Sequence, residues 1–265
     1  MAYRESDTIW STMHRRRRDE ACPMPGAVDV LRRAYAAGTV IAEHRHARHQ
    51  LIYARSGLLV VTSPQGRWIV PSTRALWMPA GTPHSVRCVD AVEERNLYVS
   101  PEAASHLPDA VFAVQVGPLL RDLIDAAELI VQPYAEDSRD GRVMRLILDE
   151  LTSLPTLPLH LPQSSDARIG PICAHLVRHP YDHSTIADWA KRTGVHVKTL
   201  QRIFLRDLGM TFTQWRQRCR LLFALERLAV GVPVIDVAMD LGYESPSAFS
   251  AMFKRQFGVS PSHYF

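Results

Sequence analysis

The sequence predicts a two-domain α+β chain: an N-terminal β-barrel with amphipathic helices, then an all-α domain in which a linker helix joins two helix-turn-helix units. Three observations predict it. Residues 28–101 alternate short β-favouring runs with turn residues, apolar residues between 117 and 152 recur at helical spacing, and from residue 166 one pattern occurs twice. The length of 265 residues suits two domains, and a composition of 46% hydrophobic and 22% charged residues is that of a globular protein.

Residues 1–27 read as a flexible leader. They hold the run Arg15-Arg16-Arg17-Arg18 and the turn-forming Cys22-Pro23-Met24-Pro25-Gly26. In the barrel segment, Leu51-Ile52-Tyr53, Leu58-Leu59-Val60-Val61, Trp68-Ile69-Val70, Ala75-Leu76-Trp77-Met78 and Leu97-Tyr98-Val99 favour strands. Gly57, Ser63-Pro64-Gln65-Gly66, Pro71 and Pro79-Ala80-Gly81 break them up. Strands so closely spaced suit a small barrel or sandwich.

Two amphipathic helices follow, with a polar break at Glu136–Asp140. Leu119, Leu120, Leu123, Ile124, Ala127 and Ile130-Val131 mark the first stripe. Val143, Leu146, Ile147 and Leu151 mark the second. These helices are expected to bury apolar residues partly against the barrel and partly against a second subunit. The sensor and dimerisation domain thus runs from 28 to 153. Prolines 155, 158 and 162 make 154–165 a semi-rigid linker.

Residues 166–265 contain the repeat. Ile186-Ala187-Asp188-Trp189-Ala190-Lys191-Arg192-Thr193-Gly194-Val195 leads to Leu200, Phe204 and Gly209. Val234-Ile235-Asp236-Val237-Ala238-Met239-Asp240-Leu241-Gly242-Tyr243 leads to Phe249, Phe253 and Gly258. In each copy an alanine lies four residues before a glycine. The small side chain lets a second helix cross closely, and the glycine supplies the left-handed turn. Between the copies, a helix from about Thr213 to Ala229 buries Trp215, Leu221, Leu222, Leu225 and Leu228. At 1.5 Å per residue it spans roughly 26 Å. That length can hold two recognition helices about one DNA turn, roughly 34 Å, apart on one duplex face.

With the terminal stretch Gly242-Tyr243-Glu244-Ser245, Phe253-Lys254-Arg255-Gln256-Phe257-Gly258 and Ser260-Pro261-Ser262-His263-Tyr264-Phe265, residues 166–265 resemble the AraC-type regulators. The resemblance implies sequence-specific binding to a double-stranded operator. On the first recognition helix Leu200, Ile203 and Phe204 face inward, which leaves Lys198, Gln201, Arg202 and His196 outward. Gln201 can pair with adenine and Arg202 with guanine or a phosphate. On the second, Ser247 and Ser250 lie outward, and Lys254 and Arg255 sit towards the phosphates. This helix is better equipped to grip the backbone than to read bases.

A second pattern lies upstream. Gly38 precedes His44-Arg45-His46, Gln50 and Gly57, and Pro79-Ala80-Gly81-Thr82-Pro83-His84 follows. This is similar to the two motifs of the cupin barrel. The resemblance implies that His44, His46, Gln50 and His84 converge. Alternate residues on a strand share a face, so His44 and His46 can both point inward. In metal-binding cupins a carboxylate stands where this chain has Gln50, and here Thr73 and Cys88 also depart from the second motif. Three readings stay open: ligands of a divalent ion such as zinc, nickel, iron or manganese, polar groups lining a small-molecule effector pocket, or residues that fix the barrel mouth. His49 is expected to be exposed. Trp68, Trp77, Met78, Tyr53 and Tyr98 are the wall residues to consider, each more in keeping with core than with contact.

Charge divides unevenly. From residue 166 on there are 13 Lys and Arg against 8 Asp and Glu, while the first 165 residues carry a net −1. The basic half is the one suited to a polyanion. No apolar run approaches 18 residues and no secretory leader is evident, so no membrane partner is expected. The four scattered cysteines suit reduced thiols in a cytoplasm. No nucleophile–base pattern or phosphate loop is visible, so catalysis is not expected. The reading is therefore a homodimeric, effector-controlled, sequence-specific DNA-binding transcription regulator. Its rivals are a metal-dependent cupin enzyme fused to a DNA-binding domain, and a DNA binder that senses nothing.

Overall fold

The computed structural model describes residues 26–152 and 159–264; the leader, including Cys22 and the arginine run, lies outside the described residues. Among the described residues ten strands form two five-stranded sheets. The strands are β1 (Val28–Tyr35), β2 (Val40–His44), β3 (His49–Ser56), β4 (Leu58–Ser63), β5 (Gly66–Pro71), β6 (Arg74–Met78), β7 (His84–Cys88), β8 (Val92–Val99), β9 (Phe112–Gln115) and β10 (His160–Pro162). The first sheet has the order β1-β8-β3-β6-β9 and the second β10-β5-β4-β7-β2. Every described pairing is antiparallel.

Strand alternation sorts the barrel. Ile52, Leu76 and Met78 of the first sheet meet Leu59, Val61, Trp68, Val70, Val86 and Cys88 of the second in the interior. Leu51, Tyr53, Trp77, Leu97 and Val99 face the other way. Over them lie helices α1 (Pro118–Ala127) and α2 (Arg139–Thr152), which contribute Leu120, Ile124, Met144, Ile147 and Leu151. The break between these helices is longer than the expected 136–140 and runs from 128 to 138. Three residues of the expected stripes, Leu119, Val131 and Leu146, do not reach the sheet and stay 52%, 81% and 40% exposed.

The described part of the proline-rich segment is not a free spacer. Leu159 is buried, and His160–Pro162 pairs with β5 as the edge of the second sheet. Gly66 fits beneath it, because a Cβ there would come within 2.4 Å of the Leu161 carbonyl oxygen. Proline suits this edge strand, where no neighbour awaits its missing donor.

Among the described residues six further α-helices follow: α3 (Gly170–Arg178), α4 (Ile186–Thr193), α5 (Val197–Leu208), α6 (Phe212–Ala229), α7 (Val234–Asp240) and α8 (Pro246–Phe257). Pairs α4–α5 and α7–α8 are the two helix-turn-helix units, and α6 joins them. Ala190 and Ala238 are buried as the spacing requires, and so are Leu200, Phe204, Phe249 and Phe253. Thr185 with Asp188, and Thr211 with Gln214, form capping boxes at the starts of α4 and α6. Among the described residues no helix is long and apolar enough to cross a membrane. Cys88, Cys173 and Cys219 are buried and unpaired.

The two units are locked together by the segment between α3 and α4. Arg220 of α6 donates to the carbonyls of Pro180 and Asp182, and Arg216 donates to those of His183 and Ser184. His183 then lies against Gly242, where a Cβ would come within 2.3 Å of the ring. Gly242 is thus needed twice, for its φ of 74° and for its lack of a side chain. Gly194 has a similar φ of 67° but open space around it. We therefore expect Gly194→Ala to cost about 1–2 kcal/mol, the usual penalty of a left-handed residue, and Gly242→Ala clearly more, as read by urea unfolding of the full chain.

Candidate functional site

Two places in this architecture collect polar side chains that the fold itself does not use. The first is the barrel mouth. His44 ends β2 and stands opposite His84, the first residue of β7. The chain leaves the strand after His44, so His46 reaches the cluster from a turn and not by strand alternation. The ring centroids lie 4.8 Å apart for His44 and His46, 4.4 Å for His44 and His84, and 5.5 Å for His46 and His84. One ligand nitrogen from each ring falls within 4.8 Å of the others.

The turn is held in place by Arg48, whose importance was not read from the sequence. Its guanidinium pairs with Asp29 at 2.8 Å and donates to the carbonyls of Gly26, Ala27 and Tyr98. The second motif is sewn to the first by Gly81 N–H, which donates to the His46 carbonyl at 2.7 Å. His49 is half-buried rather than exposed. It stacks on Trp77 and accepts from Ala80 N–H.

Hydrogen bonds set the orientation of the rings. Nδ1 of His44 lies 2.8 Å from the Ala42 carbonyl, and Nδ1 of His84 lies 2.9 Å from that of Thr82. A carbonyl only accepts, so each Nδ1 carries the proton and Nε2 of the neutral ring keeps its lone pair. Nε2 of His84 and of His46 are buried without a partner. Burial, with the neighbouring histidines, pushes both rings down to about 4. They are therefore neutral at pH 7. Gln50 is buried next to them; its amide donates to Tyr98 at 3.4 Å while its Oε1 has no partner. Orphaned buried acceptors are costly unless something donates to them or coordinates them. Trp68, Met78 and Tyr98 share this interior face, whereas Tyr53 and Trp77 lie under the helices.

Deeper inside, Glu94 is 1% exposed and accepts from Asn96 at 3.0 Å. Burial pushes its carboxyl up to about 7, against the opposing pull of Arg33.

The second place is the outer surface of the helix-turn-helix units. Lys198, Gln201 and Arg202 are exposed on one side of α5, while Leu200, Ile203 and Phe204 are buried on the other. None of the three makes a side-chain hydrogen bond among the described residues. Arg206, one turn on, is instead engaged by Asp207 and Asp166. His196 has a structural task, because its Nδ1 accepts from Lys198 N–H and caps α5. On α8, Ser247, Lys254 and Arg255 are exposed and Ser250 is half-buried, while Ser245 caps the helix.

A polar-mouthed barrel joined to paired helix-turn-helix units defines a DNA-binding protein with a ligand-binding domain. Residues 28–161 match the model of the AraC-like ligand binding domain, and residues 189–265 match that of a helix-turn-helix domain. The chain is 32% identical over 221 residues to the HTH-type transcriptional regulator NimR of Escherichia coli, a match covering 83% of this chain and 81% of that protein. It is 30% identical over 131 residues to the regulator RipA of Corynebacterium glutamicum, covering 49% and 38% of the two chains. Over 76 residues it is 43% identical to the regulatory protein SoxS of Escherichia coli, covering 28% and 71%. The chain belongs to the AraC family of helix-turn-helix transcription regulators.

The raised carboxyl of Glu94 has a thermodynamic consequence. The unfolded chain releases this proton near its ordinary value of 4.5 and the folded chain only near 7, so folding loses stability as pH rises between them. Glu94→Gln should therefore gain stability over the parent at pH 7.5, with the gain shrinking towards pH 5, in unfolding curves at both pH values.

Proposed function

We propose that this chain reads its operator chiefly through Lys198, Gln201 and Arg202 of α5. The supporting observation is that these three side chains point away from the core and have no partner to give up. Gln201 is suited to adenine and Arg202 to guanine, each with a bidentate contact. Lys254 and Arg255 of α8, with Ser247 and Ser250, are placed to hold phosphates and set the register. His196 contributes by fixing the start of α5. On this reading Arg202→Ala and Gln201→Ala each weaken operator binding by about 1–3 kcal/mol and leave binding to unrelated duplex unchanged. Lys254→Ala weakens both and lowers the salt slope by about 1. Fluorescence anisotropy at several salt concentrations measures all of these. Equal losses on both duplexes for Arg202→Ala would remove its base-reading role.

We also infer that the effector site is the histidine cluster and that its occupant is a divalent transition ion. Three imidazoles, two of them (His44 and His84) with Nδ1 tied to a backbone carbonyl, are a donor set that zinc, nickel, iron or manganese accept. A bound ion would supply positive charge and directional coordination. His44, His46 and His84 hold it, with Gln50 Oε1 as a neutral fourth donor. The lone pairs of His46 and His84 are free of competing protons at neutral pH. The chain should take up one equivalent of Ni(II), read by elemental analysis after gel filtration, and His84→Ala should lose at least tenfold in affinity. Absence of stoichiometric metal in the parent protein would leave the small-molecule pocket as the reading.

The same proposal includes a homodimer in the cytoplasm, working as a regulator without catalysis. Leu119 and Leu146 support the dimer, because each is a large apolar side chain that neither the sheet nor the other helix covers. Leu119→Glu with Leu146→Glu should convert a sedimenting dimer to monomer at micromolar concentration while the circular dichroism stays unchanged.

A further inference from the structure

Strand β7 has two working faces. His84, Val86 and Cys88 point into the barrel, and Ser85 and Arg87 point out towards the helical domain. On the outer face Arg87 meets Glu226 of α6. Arg67 of β5 meets the same carboxylate, with Nη2 to Oε1 at 2.5 Å, while Arg87 takes Oε2. Each carboxylate oxygen thus has its own guanidinium. The two arginines come from strands separated by β4, so Glu226 spans three strands of the second sheet.

Around this triad the seam is mostly apolar. Leu58, Val60, Ile69, Leu159 and Leu161 of the sheet share one core with the helical domain. A cavity of about 160 Å³ remains beside Glu226, walled by Leu161, Val177, Leu222 and Phe223. Apolar contact is non-directional, and the cavity beside Glu226 leaves the packing there room to shift. The doubly paired carboxylate is directional. It therefore sets the register of α6 on the sheet, together with Trp215 Nε1–H, which donates to the Pro162 carbonyl at 2.9 Å.

We propose that the Arg67–Glu226–Arg87 triad is the contact through which the barrel mouth and the DNA-reading helices sense each other. Arg87 lies three residues from His84 on one strand, about 10 Å along it at roughly 3.3 Å per residue. Anything that draws His44 and His84 together repositions β2 and β7, and with them Arg87. At the other end, α6 carries one helix-turn-helix unit at each terminus. A change in its register on the sheet moves both recognition helices as a pair. Coupling of this kind is reciprocal, so engaging DNA must be felt at β7. The proposal rests on the reading of α5 and α8 as the DNA face, and its first test does not require the metal.

The test compares the full-length parent with Glu226→Gln and Arg87→Gln, which approach the seam from opposite sides. The probe is a duplex selected from a random pool by the parent protein. Amide hydrogen exchange is followed at residues 84–88 with and without this duplex. Duplex binding is expected to change exchange at 84–88 by at least threefold in the parent and by less than 1.5-fold in both variants. An unchanged response in a folded variant, or no response in the parent, overturns the proposal. Should Glu226→Gln fail to fold, the partly exposed Arg87 still allows the comparison. A second arm adds Ni(II). A nickel-induced shift in duplex affinity should vanish in Glu226→Gln while nickel stoichiometry stays the same, and persistence of the shift overturns the triad. A parent that takes up no nickel instead sinks the metal reading, and hydrogen exchange then decides the triad alone.

Discussion

Strands β4 and β5 are apolar at nearly every position because both of their faces are covered. One face closes the barrel, and the other is the floor on which α6 rests. The rest of the molecule depends on this double burial. It lets a sensor domain and a DNA-reading domain share a core instead of hanging from a tether. The second sheet is thereby a partition: a shift of β4 or β5 on the inner side meets helices packed against the outer side. Close packing passes such shifts on, because displaced side chains have no free volume to absorb them except where a cavity lies.

The polar groups are distributed according to what surrounds them. At the seam Glu226 is paired with two arginines, since an unpaired charge between two packed domains costs more than it contributes. At the barrel mouth the reverse holds, with buried acceptors on His46, His84 and Gln50 left without donors. The fold tolerates them because the surrounding turn is over-determined. Arg48 gathers the chain on three sides of it, and Gly81 closes the fourth. A site held in its working geometry by its own scaffold binds without first having to be ordered.

The helical domain was the most legible in advance. Its turn glycines, spaced alanines and paired aromatics act within a few residues of one another, so they leave a periodic trace. The barrel was legible in outline, but β1, β2, β7, β9 and β10 carry mixed residues or too short a run to announce themselves. In the candidate site, the four motif residues could be named from their resemblance to the cupin motifs. The way His46 arrives could not, since a turn pinned by Arg48 and a continued strand have the same local composition.

The amino-acid sequence by itself determined the two helix-turn-helix units, the α6 linker between them, the outward set Lys198, Gln201 and Arg202, and the histidines that could meet. The helical features follow from short-range rules of helix period, capping and glycine conformation, and the histidines from the resemblance to the cupin motifs. Only the tertiary structure decided that Leu159–Pro162 completes the second sheet, that His183 sits over Gly242, and that Glu226 is shared by Arg67 and Arg87. Those arginines lie 159 and 139 residues from their partner in the chain. Contacts across such separations arise from which faces are left to bury once the local elements have formed, and no periodicity in the sequence records them.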